Sequence, residues 1–222
     1  MVTLNAEKLS LQQVHQLLGL QRFPIANVTD LLALAPLTDY EQQELAQVAT
    51  DFENYLASGK VSEGLIKVLT VYPLLRLAGF YRYPFELKLE EAIARISVLD
   101  EDTEVSGRID VLVIHQESES YGDNKQTLWI LVIEAKNSAI DLSAGLPQLL
   151  AYTYKGLEHQ ESVWGLVTNG INYQFVQLQK RTPPTYQLLP PLYLFEHDHA
   201  LQVLQTLKAI GEQNCSLTSK IA

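Results

Sequence analysis

Cysteine is almost absent. Cys215 is the single one, so the chain can build neither an internal disulfide nor a cysteine-ligated zinc site, which suits a reducing compartment. Long hydrophobic runs are absent as well: no apolar stretch approaches the roughly 20 residues of a membrane span, and no basic-then-apolar leader opens the sequence. A cytoplasmic protein that engages no membrane is the expectation. Positive charge is scarce, with 16 Lys and Arg against 26 Asp and Glu and a formal net charge of -10. This excludes a broad basic surface, so any nucleic-acid contact must rest on local cations, because phosphate neutralisation dominates such affinity. Nor is there a G-x-x-x-x-G-K-[ST] loop, "SGKVS" being a poor partial match, which excludes an ATP-driven motor. Repeats and low-complexity segments are lacking too. What remains is a globular chain of 222 residues, 47% hydrophobic and 19% charged, long enough for one sizeable core.

Residues 1–60 read as a helical N-terminal extension. In "SLQQVHQLLGL" Leu11, Val14, Leu17 and Leu18 recur at helical spacing and Gly19 closes the segment; in "PLTDYEQQELAQVATDFENYLASGK" Thr38 and Glu41 have capping-box spacing and Gly59 supplies the stop. "SEGLIKVLTVYPLLRLAGF" is apolar around much of its circumference and predicts a buried helix that Pro73 kinks or ends. From Pro84 the period changes. "FELKLEEAIARISVL", "GRIDVLVIH" and "TLWILVIEAK" predict three consecutive antiparallel strands, the last two joined by the polar loop "QESESYGDNKQ". "SAGLPQLLAYTYKGLE" predicts a helix started by Asp141 or Ser143, and "SVWGLVTNG" with "INYQFVQLQ" a strand, an Asn-Gly turn and a strand. "RTPPTYQLLPP" is too rich in proline for either, and "HALQVLQTLKAI" is a last helix. The expected organisation is an extension over 1–60, a core over 61–212 and a polar tail over 213–222.

The chemistry concentrates in "LVIEAKNSA", residues 131–139. In a strand Glu134 and Lys136 stand side by side on one face, with Val132 and Ile130 behind them. If the preceding loop turns near Gly122 and Asp123, Asp110 lies opposite Glu134 or Ala135. Two carboxylates at such positions repel. A hard divalent cation such as Mg²⁺, which takes one or two protein carboxylates and keeps several waters, would compensate them; a structural ion pair of Lys136 with Glu134 or Asp110 is the alternative.

"GRID" ending at Asp110, "IEAK" with Glu134 and Lys136, and "QLLAY" with Gln148 and Tyr152 four apart on one helical face resemble the PD-(D/E)xK nuclease superfamily, in its Q-x-x-x-Y branch. The closest pattern is the N-terminal nuclease-type domain of type I restriction-enzyme R subunits, over about residues 60–180 and including "VTNG" at 167–170. The chain departs from it in having Ile109 where a proline often precedes the first aspartate. The resemblance implies an α/β, restriction-endonuclease-like fold with a mixed central sheet flanked by helices, here carrying the N-terminal extension. It implies a metal-dependent DNA endonuclease or phosphodiesterase of a restriction, repair or mobile-element system, using Mg²⁺ with Mn²⁺ as substitute. In that reading Asp110, Glu134 and the Ala135 carbonyl hold the ion, Glu63 adds an acidic group from the helix before the first core strand, Lys136 orients water or stabilises the transition state, and Gln148 and Tyr152 position these groups. DNA is the implied partner, contacted through Lys67, Arg76, Arg82, Arg108, Lys136 and Lys155; a basic or motor protein beside this acidic chain, or a dimer, is compatible with it. The competing reading is a noncatalytic interaction module built on the same fold.

Overall fold

The period-2 stretches from Phe85 onward form the strands that organise the molecule. The computed structural model describes residues 2–24, 27–97, 103–116 and 127–218. In chain order the elements are β1 (Val2–Asn5), α1 (Leu11–Leu18), β2 (Gln21–Arg22), α2 (Val28–Leu31), α3 (Asp39–Ala57), α4 (Glu63–Ile66), α5 (Tyr72–Leu77), β3 (Phe85–Ser97), β4 (Thr103–His115), β5 (Leu128–Ala135), α6 (Leu146–Gly156), β6 (Ser162–Thr168), β7 (Asn172–Gln179), β8 (Thr185–Leu188), β9 (Leu192–Tyr193) and α7 (His197–Thr218).

Among the described residues nine strands make one mixed sheet in the order β1-β4-β5-β6-β7-β8-β2, with β3 also paired to β4 and β9 to β7. The β3, β4 and β5 strands run antiparallel in succession, while β5 to β6, β1 to β4 and β2 to β8 are parallel. Helices cover both faces. On one side Leu45 and Phe52 of α3, Ile66, Leu74, Leu75 and the α7 residues Val203, Leu204 and Leu207 pack on Val111, Leu131, Ile133 and Phe175. On the other, α1 and α6 pack on Leu112, Val132, Val167 and Val176. Strands covered on both faces must be apolar on both, which is why "ILVI" in β5 is an unbroken hydrophobic run. The architecture is the expected α/β one, a mixed central sheet flanked by helices, consistent with a restriction-endonuclease-like fold.

Helix starts follow the sequence signals. Ser10 and Gln13 form one capping box and Thr38 and Glu41 another, Gly19 ends α1 at φ 63, and Asp141 caps the short 3-10 turn Leu142–Ala144 that leads into α6.

Five features differ from the sequence reading. The segment 1–60 is not purely helical: β1 and β2 lie in the sheet, and the Phe52 ring of α3 fills the space beside Gly170, where an added Cβ would lie 2.4 Å from it. Pro73 does not end its helix. The α4 segment passes into a π-helical turn, Lys67–Val71, in which the Tyr72 N–H donates to the Lys67 carbonyl, and α5 continues beyond; widening the turn accommodates a ring that has no N–H to donate. Ile130 does not share a face with Val132. Val113 pairs with Leu131 and Ile114 with Trp129, so Ile130 is the extra residue of a bulge and turns to the opposite face. β8 lies inside "RTPPTYQLLPP", whose prolines flank the four-residue strand without interrupting it. Finally, α7 runs on through Thr218, into the segment expected as tail. The turn expected at Gly122 and Asp123, and tail residues 219–222, lie outside the described residues.

Candidate active site

Val111 pairs with Ile133, and the same register carried one residue further sets Asp110 against Glu134. Both line a cleft of about 930 Å³ together with Glu63, Lys136 and Gln148. The Asp110 carboxylate accepts from the Ala135 N–H through Oδ2 at 2.8 Å, so the first acidic residue is tied to the backbone between Glu134 and Lys136. Lys136 is anchored by its own N–H, which donates to the Thr168 carbonyl at 2.8 Å. Its Nζ donates to Glu134 Oε1 at 2.6 Å and to Gln148 Oε1 at 2.9 Å. Gly145 leaves room for this side chain, since a Cβ there would stand 3.3 Å from the Lys136 Cε and 2.8 Å from the Val167 side chain.

Gln148 in turn donates through Nε2 to the Tyr152 hydroxyl at 3.1 Å, which also accepts the Arg108 N–H at 3.1 Å. Tyr152 is fully buried and lies behind the cleft lining. It therefore positions Gln148 and β4, and does not face open space as a catalytic group must. Gly107 is glycine for the same reason: a Cβ there would come within 2.2 Å of the Tyr152 oxygen.

Glu63 follows the α4 cap residue Ser62, and the segment ahead of it is fastened to the loop after β5, where Ser138 Oγ accepts the Val61 N–H at 2.9 Å and the Ser138 N–H donates to the Val61 carbonyl at 3.0 Å. The "VTNG" residues secure the same loop from the other side: Asn169 Nδ2 donates to the Ile140 carbonyl at 3.0 Å while its Oδ1 accepts the Ile171 and Asn172 N–H groups. Gly170, at φ 80, permits the turn.

Burial pushes Glu134 up to about 8; Asp110 and Glu63 add to this and Lys136 opposes it. Burial lowers the Lys136 pKa, but the surrounding Glu134, Glu63 and Asp110 carboxylates outweigh it and hold the ammonium above its ordinary value. Tyr152 is pushed up to about 12, chiefly by burial.

Lys67 and Glu90 are among the cleft residues not singled out from sequence as site residues. Lys67 Nζ donates to Asp110 Oδ1 at 2.8 Å and to Glu90 Oε1 at 2.5 Å. Burial lowers the Lys67 pKa, yet these two hydrogen bonds carry it well above the ordinary lysine range. Lys67 follows Glu63 by four residues, a spacing that could have flagged it. The signal for Glu90 was the doubled acid "EE" breaking the alternation of β3. Of the six basic residues expected around the site, Lys67, Arg108 and Lys136 line the cleft. Arg76 instead pairs with Glu44, Lys155 pairs with Glu158, and Arg82 lies with Tyr40 and Tyr81 in a separate depression.

The lining holds five carboxylates, Glu7, Glu63, Glu90, Asp110 and Glu134, against three cations, and Glu134 Oε2 is buried without a hydrogen-bond partner among the described residues. An orphaned carboxylate oxygen beside a second carboxylate in an acidic cleft fits a hard divalent ion. Among the described residues no group of three His, Cys, Asp or Glu side chains could by itself enclose an ion. That is compatible with Mg²⁺, which is bound through one or two carboxylates with substrate and water oxygens completing the shell. No described helix is long and apolar enough to cross a membrane.

No protein-family model and no curated protein matches the sequence. Among solved structures, the chain is similar to a fragment assigned as the HsdR subunit of a type I restriction enzyme from Vibrio vulnificus YJ016, at 19% identity and a TM-score of 0.37. The similarity covers 66% of this chain and 26% of that one, so it spans about a quarter of the solved structure.

Proposed function

We propose that this protein is a metal-dependent nuclease that hydrolyses phosphodiester bonds in DNA, with Asp110, Glu134 and Lys136 at its centre. One observation carries the reading: a buried glutamate with one oxygen held by a lysine and the other unpartnered, beside a second carboxylate, in an open acidic cleft. A purely structural ion pair would satisfy both oxygens.

Asp110 and Glu134 would hold Mg²⁺ or Mn²⁺, with Glu63 and the Ala135 carbonyl as further oxygens. When bound, the ion would neutralise charge on the scissile phosphate and lower the pKa of a water molecule. Lys136, kept charged and aimed between Glu134 and Gln148, is placed to orient that water or to stabilise negative charge developing on phosphoryl oxygens. Gln148 holds the ammonium by accepting a hydrogen bond from it, and Tyr152 holds Gln148 by accepting from its Nε2. Glu134 must release its own proton on binding the ion, so ion affinity rises with pH toward about 8.

The test is incubation of the purified chain with supercoiled plasmid and with single-stranded DNA in Mg²⁺, Mn²⁺ or EDTA. Cleavage is expected with either ion and none with EDTA. Asp110→Ala, Glu134→Ala and Lys136→Ala should each lower the rate about a hundredfold or more, and combining them should add little, because they act in one step. Full cleavage by Lys136→Ala would refute the assignment. Absence of both cleavage and ion binding in the wild type would favour the noncatalytic interaction module.

A further inference from the structure

Asp110, the second carboxylate assigned to the ion, is already engaged by a cation of the chain itself. Asp110 uses Oδ2 to accept the Ala135 N–H and Oδ1 to accept from Lys67, both at 2.8 Å. An ion coordinated by Asp110 would lie at roughly 2.0–2.1 Å from an oxygen, leaving the ammonium only a few ångströms from a dication, and the two would repel strongly in a half-buried cleft. Lys67 has somewhere to go. Glu90 Oε1 already accepts from it at 2.5 Å, and the Glu90 side chain is 51% exposed, so the pair can swing outward.

The backbone is shaped for this second seat. Glu90 is the one described non-glycine residue at positive φ, 52°. Its neighbours Leu89 and Glu91 pair with Val111 and Ile109, so it stands across from Asp110 and the ladder opens at that point. A left-handed glutamate is uncommon and strained, and such residues gather at functional sites. Lys67 itself begins the π-helical turn, another irregularity found mostly where function demands it.

We propose that Lys67 and the divalent ion exchange on Asp110, with Glu90 retaining the ammonium when the ion arrives. This rests on the metal-dependent reading of the site. Lys67 neutralises Asp110 in the ion-free protein and sets the ion concentration at which the site fills; Glu90 lowers that threshold by offering the lysine an alternative partner.

Calorimetric titration of the full chain with MnCl₂ tests it without reference to cleavage. Lys67→Met should bind Mn²⁺ at least about tenfold tighter than wild type, and Glu90→Gln at least about threefold weaker. Arg108→Gln and Glu7→Gln, which remove one charge of each sign from the same lining, should change affinity by less than their counterparts. An unchanged or weaker affinity in Lys67→Met overturns the exchange, as does an equal effect in Arg108→Gln. Should Lys67→Met fail to fold, Glu90→Gln decides alone, its side chain being half exposed; unchanged binding there overturns the proposal. A wild type that takes up no Mn²⁺ removes both this exchange and the nuclease reading, whereas a wild type that binds, with variants indistinguishable from it, removes the exchange only.

Discussion

Glu134 is 2% exposed, and its carboxyl is pushed up to about 8. In the unfolded chain it titrates near its ordinary value of 4.5. Between those two values the folded ion-free protein keeps a proton that the unfolded chain has lost, so stability falls as pH rises through this window and levels off above it. Below 4.5 the penalty is absent. Glu134→Gln should flatten this slope and stabilise the ion-free protein at pH 8 by an amount on the order of a few kcal/mol. Urea-unfolding midpoints of both proteins from pH 5 to pH 8.5 check this; parallel curves would contradict it. The pairing of Glu134 with Lys136 was legible, because a strand's alternation is fixed by covalent geometry. The orphaned Oε2 was not, since it depends on what lies across a cleft formed by distant parts of the chain.

The α6 helix acts as a brace between two strands, reaching Lys136, the residue after β5, through Gln148 and the Arg108 amide of β4 through Tyr152. Gly107→Ala should destabilise by about 1–3 kcal/mol, because its methyl group would overlap the Tyr152 hydroxyl. Tyr152→Phe should cost about 1–3 kcal/mol by depriving buried donors of their acceptor. In the double variant the worst overlap, with the hydroxyl, is removed while the ring carbons would still stand 2.7 and 2.8 Å from the added Cβ, so the combined loss should be smaller than the two single losses together, as a double-mutant cycle of unfolding free energies would read; strict additivity would place the two residues apart. The four-residue spacing in "QLLAY" correctly put both side chains on one face of the helix. It could not say that only Gln148 would meet the cleft, because one step along a tilted helix separates a rim position from a core position. The π-helical turn was equally hidden, since Pro73 predicts a disturbance without its kind.

Residues 1–60 close both ends of the sheet path through β1 and β2, and they contribute Leu45 and Phe52 to the core. Deleting them should leave a chain from 61 that lacks a cooperative unfolding transition, with Phe52→Ala alone costing about 3–5 kcal/mol; a deletion product that melts like the whole chain would show residues 61–212 to be self-sufficient. An ion held only by the folded state should raise stability by about 2.7 kcal/mol at a hundredfold excess over its dissociation constant, a shift of several degrees in melting temperature. An equal Mn²⁺-induced shift in the Asp110→Asn, Glu134→Gln double variant would place the ion elsewhere. Of the helices in this segment, α1 and α3 were readable from caps and periodicity, and the four-residue α2 was not. Strands of four and two residues were not, because they are too short to show a period and are defined by partners far along the chain.

The parallel pairing of Val2 with Thr103, and of Gln21 with Thr185, has a consequence for synthesis. At about 5–20 residues per second, the ribosome needs roughly 5–20 s after making β1 to deliver its partner, and longer for β2. Throughout that interval these two strands have exposed edges and no native neighbour, and the cleft that Asn5 of β1 lines cannot yet exist. β2 thus waits for its partner until after Gln148, the last residue in sequence that lines the acidic cleft, has been made.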